Sequence, residues 1–346
     1  LLELVRGSLF TGFNWGSLGH TQAGVPGVAM IARFAGVGGI SFLIVLVNVF
    51  LKEVVTDPQR RKRDLLFLLL VVFFVFLGQL PDLPITPRAN VKKVRVAIVQ
   101  PNIALSQAWS SYWKPWVVEK QLAMSQEALS RKPELIIWPE TSFPQFIWEY
   151  PKLFAKVKAF ARKNKVSLLF GAVTRRGEEY FNSAILIGSD GEIAATQDKQ
   201  HLVLFGEYIP FRERFPFLAD IVGIDDFTAG ETATVFRLPS GATFSVLICF
   251  EDTLPHLAHR YVEAGAQFLV NMTNDAWFGD SGQPHMHLQN ASFRAVENRV
   301  PLIRATNTGE SCVLGPFGQE MACIEDGGRR VLIDGWLVVD VPLSSE

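Results

Sequence analysis

Ser245-Val246-Leu247-Ile248-Cys249-Phe250-Glu251-Asp252 is an apolar run that ends in a thiol, with two carboxylates directly behind it. The run predicts the end of a buried strand, and a thiol where such a strand emerges is how a nucleophile is displayed. The alternative is a small core residue, because free cysteine is among the most buried residue types. The rest of the chain has to decide between the two.

Around this stretch, apolar runs and helical periods alternate. Strands are expected at 94–99, 135–138, 167–173, 244–248, 267–271, 302–305, 311–314 and 331–339, and helices at 117–130, 151–165, 254–264 and 285–298. Residues 184–187 and 192–196 flank Gly188-Ser189-Asp190-Gly191, a hairpin signal. Strands alternating with helices give α/β, and the hairpins exclude a purely doubly wound sheet. A two-sheet sandwich with outer helices fits best.

Residues 1–90 have a different character. Hydrophobic content of 49% and a mean hydropathy of +0.20 are high for a soluble protein, and the excess lies before residue 81. Residues 28–51 carry only Arg33 as a charge and would reach about 36 Å as a helix, enough to cross a hydrocarbon core. Residues 65–80 carry no charge and predict a second transmembrane helix. Between them lie Arg60, Arg61, Lys62 and Arg63, which place the loop in the cytoplasm by the positive-inside rule. Everything after the second span then lies on the non-cytoplasmic side. Residues 1–27 read as an interfacial segment, 81–90 as a proline-rich linker, and 91–346 as the extramembrane domain. The chain opens with Leu1 and has neither a basic n-region nor a small-residue cleavage site, so no signal peptide is read and an upstream part is expected.

The charges nearly cancel, 33 basic against 34 acidic, so nothing suggests a nucleic-acid partner. His256 with His259, and His285 with His287, lack the spacing of a helical zinc motif, and no metal or other cofactor is expected. Cys312 and Cys323 flank Gly315-Pro316-Phe317-Gly318 almost symmetrically; a disulfide and two core thiols both remain open.

Chemistry at Cys249 needs a base to make the thiolate and a cation or donors to hold an oxyanion. Glu140, in Trp138-Pro139-Glu140, and Lys199, in Asp198-Lys199-Gln200-His201, each follow a β-segment, where α/β folds put their sites. Taken singly, each could be a solvated surface charge. In order and context (Trp-Pro-Glu, Lys-x-His-Leu-Val-x-Phe-Gly-Glu, Cys-Phe-Glu) the three resemble the carbon–nitrogen hydrolase (nitrilase) superfamily over about residues 94–340. With the membrane helices, the likeness narrows to the apolipoprotein N-acyltransferase family. Residues 99–103, 274–280, 304–309 and Phe10-Thr11-Gly12-Phe13-Asn14-Trp15 match it further.

The resemblance implies a nitrilase-like αββα sandwich attached to transmembrane helices, with Cys249 as nucleophile, Glu140 as general base and Lys199 as transition-state stabiliser. Glu207 and Glu251 would be supporting acids, and Trp109 and Trp277 aromatics at the substrate entrance. The implied reaction moves an acyl chain from a phospholipid, through a cysteine thioester, to the N-terminal amine of a diacylated apolipoprotein. The implied location is the bacterial inner membrane, multi-pass, with catalysis on the periplasmic side and further spans beyond both ends. Leu204 stands where the family usually has proline, and Phe250 where it often has tyrosine. The rival expectation is a membrane-tethered amidase or nitrilase-type hydrolase using the same three residues.

Overall fold

In the computed structural model, which describes residues 2–9, 12–78, 91–108, 112–143, 146–212, 214 and 226–344, two sheets lie face to face with helices outside both. Strand β1 (Lys93–Gln100) shows why. Its side chains alternate, so Val94, Val96 and Ile98 enter the core between the sheets while Ala97 and Val99 meet the outer helices. The first sheet continues with β2 (Leu135–Ile137), β3 (Ser167–Arg176), β4 (Glu179–Ile187) and β5 (Ile193–Asp198). The second holds β6 (Phe236–Arg237), β7 (Thr243–Ile248), β8 (Phe268–Thr273), β9 (Leu302–Thr306), β10 (Cys312–Leu314) and β11 (Glu320–Cys323). Finally β12 (Gly335–Pro342) returns to the first sheet.

The orders are β12-β1-β2-β3-β4-β5 and β11-β10-β9-β8-β7-β6. Each sheet has a parallel centre, β1-β2-β3 in one and β7-β8-β9 in the other, flanked by antiparallel strands. Helices Lys114–Ala128 and Pro151–Asn164 cover the first sheet, and Pro255–Glu263 and Gln283–Asn298 cover the second. The α/β two-sheet sandwich expected from the sequence is the observed fold.

Two expectations shift and one open alternative is decided. The strand expected at 331–339 begins only at Gly335, because Leu332 is left-handed (φ 55°) and the carbonyls of Arg330, Leu332 and Ile333 accept from the side chains of Gln100 and Asn102. The hairpin strand expected at 184–187 reaches back to Glu179, through Asn182 and Ser183, whose polarity hid it. Cys312 and Cys323 face each other across β10 and β11, their Cα atoms 4.1 Å apart, and form a disulfide.

Before the sandwich, the apolar run expected as one helix over 28–51 divides into a turn, Pro26–Ala29, and a helix, Ala32–Thr56. Gly36 (φ 62°, ψ −177°) breaks the first turn of the longer helix, as only glycine does without strain. Residues 37–56 still reach about 30 Å. Among the described residues this is the one helix long and apolar enough to cross a membrane. The next helix, Arg61–Gly78, opens on Arg61, Lys62, Arg63 and Asp64 and so takes in the basic loop; residues 79–90 lie outside the described residues. Both helices expose large apolar side chains, among them Phe34, Phe42, Val45, Leu66, Leu69, Phe73 and Phe74. Val28, Ala32, Val37 and Ile40 instead pack on Phe293 and Val296 of Gln283–Asn298, which joins the N-terminal helices to the sandwich.

Candidate active site

Strand β2 delivers Glu140. Past Ile137 the chain runs through Trp138, fully buried with its indole N–H on Ser125 Oγ at 2.9 Å, and Pro139. Gly171 of β3 donates its N–H to Pro139 O at 3.1 Å, and a Cβ there would stand 2.7 Å from Glu140 Cα. Glycine is what lets the Glu140 backbone lie against β3. Thr141 is left-handed (φ 46°), turning the chain back at once. Glu140 is buried; Oε1 accepts from Asn182 Nδ2 at 2.8 Å and Oε2 from the Asn274 N–H at 3.0 Å. Burial raises its pKa and the charge of Glu207 adds to that, against the pull of Lys199.

Lys199 follows β5, its N–H bound to Asn182 O at 2.8 Å. Its Nζ is 2.9 Å from Glu207 Oε1 and 3.5 Å from Glu140 Oε1. Burial would neutralise a lone lysine, but Glu207 and Glu140 reverse the sign and hold its pKa above the ordinary value. Glu207 is fixed in turn by the Val203 N–H at 2.9 Å and by Asn182 Nδ2 at 3.1 Å. Burial opposes its ionisation, yet Lys199 and these donors keep its pKa low.

Cys249 caps β7 at a positive φ of 54° and opens a 3-10 turn, Cys249–Thr253. A β-to-left-handed switch at a side chain lifts it out of the strand's register, at about 1–3 kcal/mol that the surroundings must offset. Asn271 Nδ2 holds the carbonyls of Leu247 and Cys249, each at 3.1 Å. Glu251 is fully buried and accepts three backbone N–H groups, from Ile248 at 2.7 Å, Gln200 at 2.6 Å and His201 at 3.1 Å. It thereby ties the lysine loop to the cysteine turn; burial pushes its pKa up to about 7 against those donors. Thr273, whose hydroxyl donates to Asp275 Oδ1 at 3.2 Å, favours the thiolate. Burial and the Glu140 charge raise the thiol's pKa, with Lys199 pulling the other way. A thiol whose ionisation is opposed thus stands beside a carboxylate whose own proton affinity is raised.

A family profile described as carbon-nitrogen hydrolase matches residues 95–334. The chain belongs to the carbon–nitrogen hydrolase family. A second profile, described as the apolipoprotein N-acyltransferase N-terminal domain, matches residues 1–50. Among curated relatives, it is 37% identical over 329 residues to the apolipoprotein N-acyltransferase of Geobacter metallireducens, covering 92% of this chain and 63% of that one. The enzymes of the same name from Brucella suis and Methylococcus capsulatus are 34% and 35% identical, with 62% and 63% of their lengths covered. The chain thus spans somewhat less than two thirds of these relatives. Among solved structures, an amidase from Nesterenkonia sp. AN1 shares the fold at a TM-score of 0.55 and 21% identity, over 72% of this chain and 93% of that one.

Of the residues expected in the site, Glu140, Lys199, Glu207 and Glu251 are brought together around Cys249. Trp277 stands exposed on the turn Asp275–Phe278, next to the Asn274 that holds Glu140. Trp109 lies outside the described residues. Phe250, where the family often has tyrosine, stacks on Phe13, Trp15 and His201 at ring separations of 5.7, 6.3 and 6.2 Å. Sequence reasoning missed Asn182, Asn271 and Thr273. Each is a buried polar residue in a strand, Asn182 in β4 and Asn271 with Thr273 in β8, and that was the available signal.

Proposed function

We propose that this chain carries the acyl-transfer centre of an apolipoprotein N-acyltransferase, taking an acyl chain from a phospholipid and passing it to the N-terminal amine of a diacylated lipoprotein. The observation that carries this reading is the grouping of Glu140, Lys199 and Glu207 beside a strand-end thiol, in a chain whose curated relatives bear that name. Glu140 takes the proton from Cys249 Sγ as the sulfur attacks the ester carbonyl. Lys199, cationic throughout because two carboxylates stabilise its charge, holds the oxyanion together with a backbone N–H of the nucleophile turn. The tetrahedral intermediate collapses, the lysophospholipid alkoxide leaves with the proton from Glu140, and a thioester remains. The α-amine then attacks the thioester, Glu140 takes its proton, and Cys249 is released and reprotonated.

A membrane setting agrees with both substrates, since exposing an acyl chain to water costs about 0.8 kcal/mol per CH₂. The helix Ala32–Thr56, long and apolar enough to cross a membrane, and the helix Arg61–Gly78, which starts on Arg61, Lys62 and Arg63 and then exposes apolar side chains, agree with two passes and catalysis on the periplasmic side. The Cys312–Cys323 disulfide agrees with an oxidising compartment. An amidase of the same fold would pass the thioester to water instead of an amine.

The test uses a phospholipid labelled in its acyl chain and a fluorescent diacylated lipopeptide. The chain should form a hydroxylamine-sensitive acyl-enzyme that Cys249→Ala lacks, and the label should then move to the peptide amine. Label on the Cys249→Ala variant, or release only as free fatty acid, would sink the reading.

A further inference from the structure

Behind the nucleophile turn lies a second cluster of charges that the acyl-transfer steps do not use. Asp252, Asp275, His287 and Arg304 are at most 1% exposed. Arg304 Nη1 donates to Asp252 Oδ2 and Nη2 to Asp275 Oδ2, both at 2.9 Å. His287 closes the ring on the other side, Nε2 3.0 Å from Asp252 Oδ1 and Nδ1 2.9 Å from Asp275 Oδ1. A neutral imidazole has one N–H, so its other nitrogen would meet a carboxylate lone pair to lone pair. With Arg304 alone, one of the two buried carboxylates would also lack a countercharge. With His287 protonated on both nitrogens, its two contacts join the two of Arg304 as charge-assisted hydrogen bonds and the charges balance.

The ring joins the two halves of the site. Asp252 lies in the turn that begins at Cys249, while Asp275 follows Asn274, whose N–H holds Glu140 Oε2. Arg304 also donates to Asn271, which grips the Cys249 carbonyl. We infer that His287 is a positioning residue, held as an imidazolium, that braces the Cys249 turn against the loop feeding Glu140.

The groups facing it are Asp252 from the nucleophile turn, Asp275 from the loop after β8 and Arg304 from β9; Arg294, on its own helix, holds the Asp252 carbonyl at 3.4 Å. Trp15 covers the ring at 4.8 Å and Phe278 meets it edge-on at 6.2 Å. Burial and Arg304 oppose the charge, but Asp252 and Asp275 outweigh them and raise the pKa of His287; against burial, Arg304 and His287 hold that of Asp275 down at about 2. The brace is therefore complete below the ordinary histidine range and is lost as pH rises through the raised value of His287.

The inference rests on Cys249 as the nucleophile but not on phospholipid as the donor, so its test uses iodoacetamide. In the full chain labelled with [13C]histidine, the His287 signal, assigned by its loss in His287→Gln, should stand at the imidazolium position at pH 7.5. A neutral signal there overturns the proposal. Alkylation of Cys249, followed by mass spectrometry, should slow by about tenfold to a hundredfold in His287→Gln. The exposed-site control His259→Gln should alkylate at the wild-type rate, and a wild-type rate in His287→Gln overturns the positioning role. If His287→Gln does not fold, His287→Asn, which keeps a donor toward Asp275, takes its place in both measurements. Normal alkylation kinetics without phospholipid labelling would count against the donor and leave the brace standing.

Discussion

Asn182 Nδ2 donates to Glu140 Oε1 at 2.8 Å and shares its second contact with Glu207, so one strand amide sets the spacing of the two carboxylates that face Lys199. Replacing Asn182 by Ala removes a hydrogen bond to a charged group, worth about 1.5–3 kcal/mol. Acyl-enzyme formation should fall about tenfold to a hundredfold, with the affinity for the acyl donor little changed. Single-turnover labelling at several donor concentrations separates the two.

In its proposed role as base Glu140 works only when ionised, and burial raises its pKa. Acylation should therefore decline as pH falls through a value above the ordinary glutamate range. A rate–pH profile of the first half-reaction reads this limb directly; a decline confined to the range of an exposed carboxylate would contradict it.

Glu207 contributes to that upward shift through its negative charge. In Glu207→Gln the acid limb should move to lower pH, while the maximal rate drops because Lys199 loses its partner at 2.9 Å. Opposite movements of limb and plateau distinguish this from misfolding, which would lower the plateau alone.

Gly171→Ala places a Cβ 2.7 Å from Glu140 Cα, in backbone that cannot swing aside as a side chain would. Overpacking of this kind costs about 1–3 kcal/mol. The melting temperature should fall, and acyl-enzyme formation should fall further than stability alone accounts for, since the displaced residue is Glu140 itself.

The Cys312–Cys323 bond closes a separation of 11 residues, for which chain entropy gives about 3 kcal/mol. Alkylation of the denatured chain should modify Cys249 alone without reductant and all three cysteines with it. Reduction should lower the melting temperature of the folded chain.

Much of this was legible in the residues. Glu140 and Cys249 each follow a buried apolar β-run, Lys199 follows the second strand of a hairpin, and a polar side chain at a strand end is recognisable without coordinates. The amides that hold them were not, because Asn182 and Asn271 act across strands from far along the chain, and nothing local pairs them with their targets. The motif stretches at 274–280 and 304–309 could be matched to a family, but the roles of Asp275 and Arg304 exist only in the ring they form with His287. Helix ends failed for a related reason: the break at Gly36 is a choice of backbone angle that hydropathy does not encode.

The left-handed backbone at Cys249 also orders the inactive variants by how faithfully they preserve the resting enzyme. Alanine and serine keep the same steric penalty at that φ, whereas glycine adopts it freely and would hold the turn without that strain. For capturing a bound lipid in crystals or on a grid, Cys249→Ser is thus the closer stand-in, since it keeps both the turn's steric character and a polar atom at the thiol's place, while Cys249→Gly keeps the turn with neither.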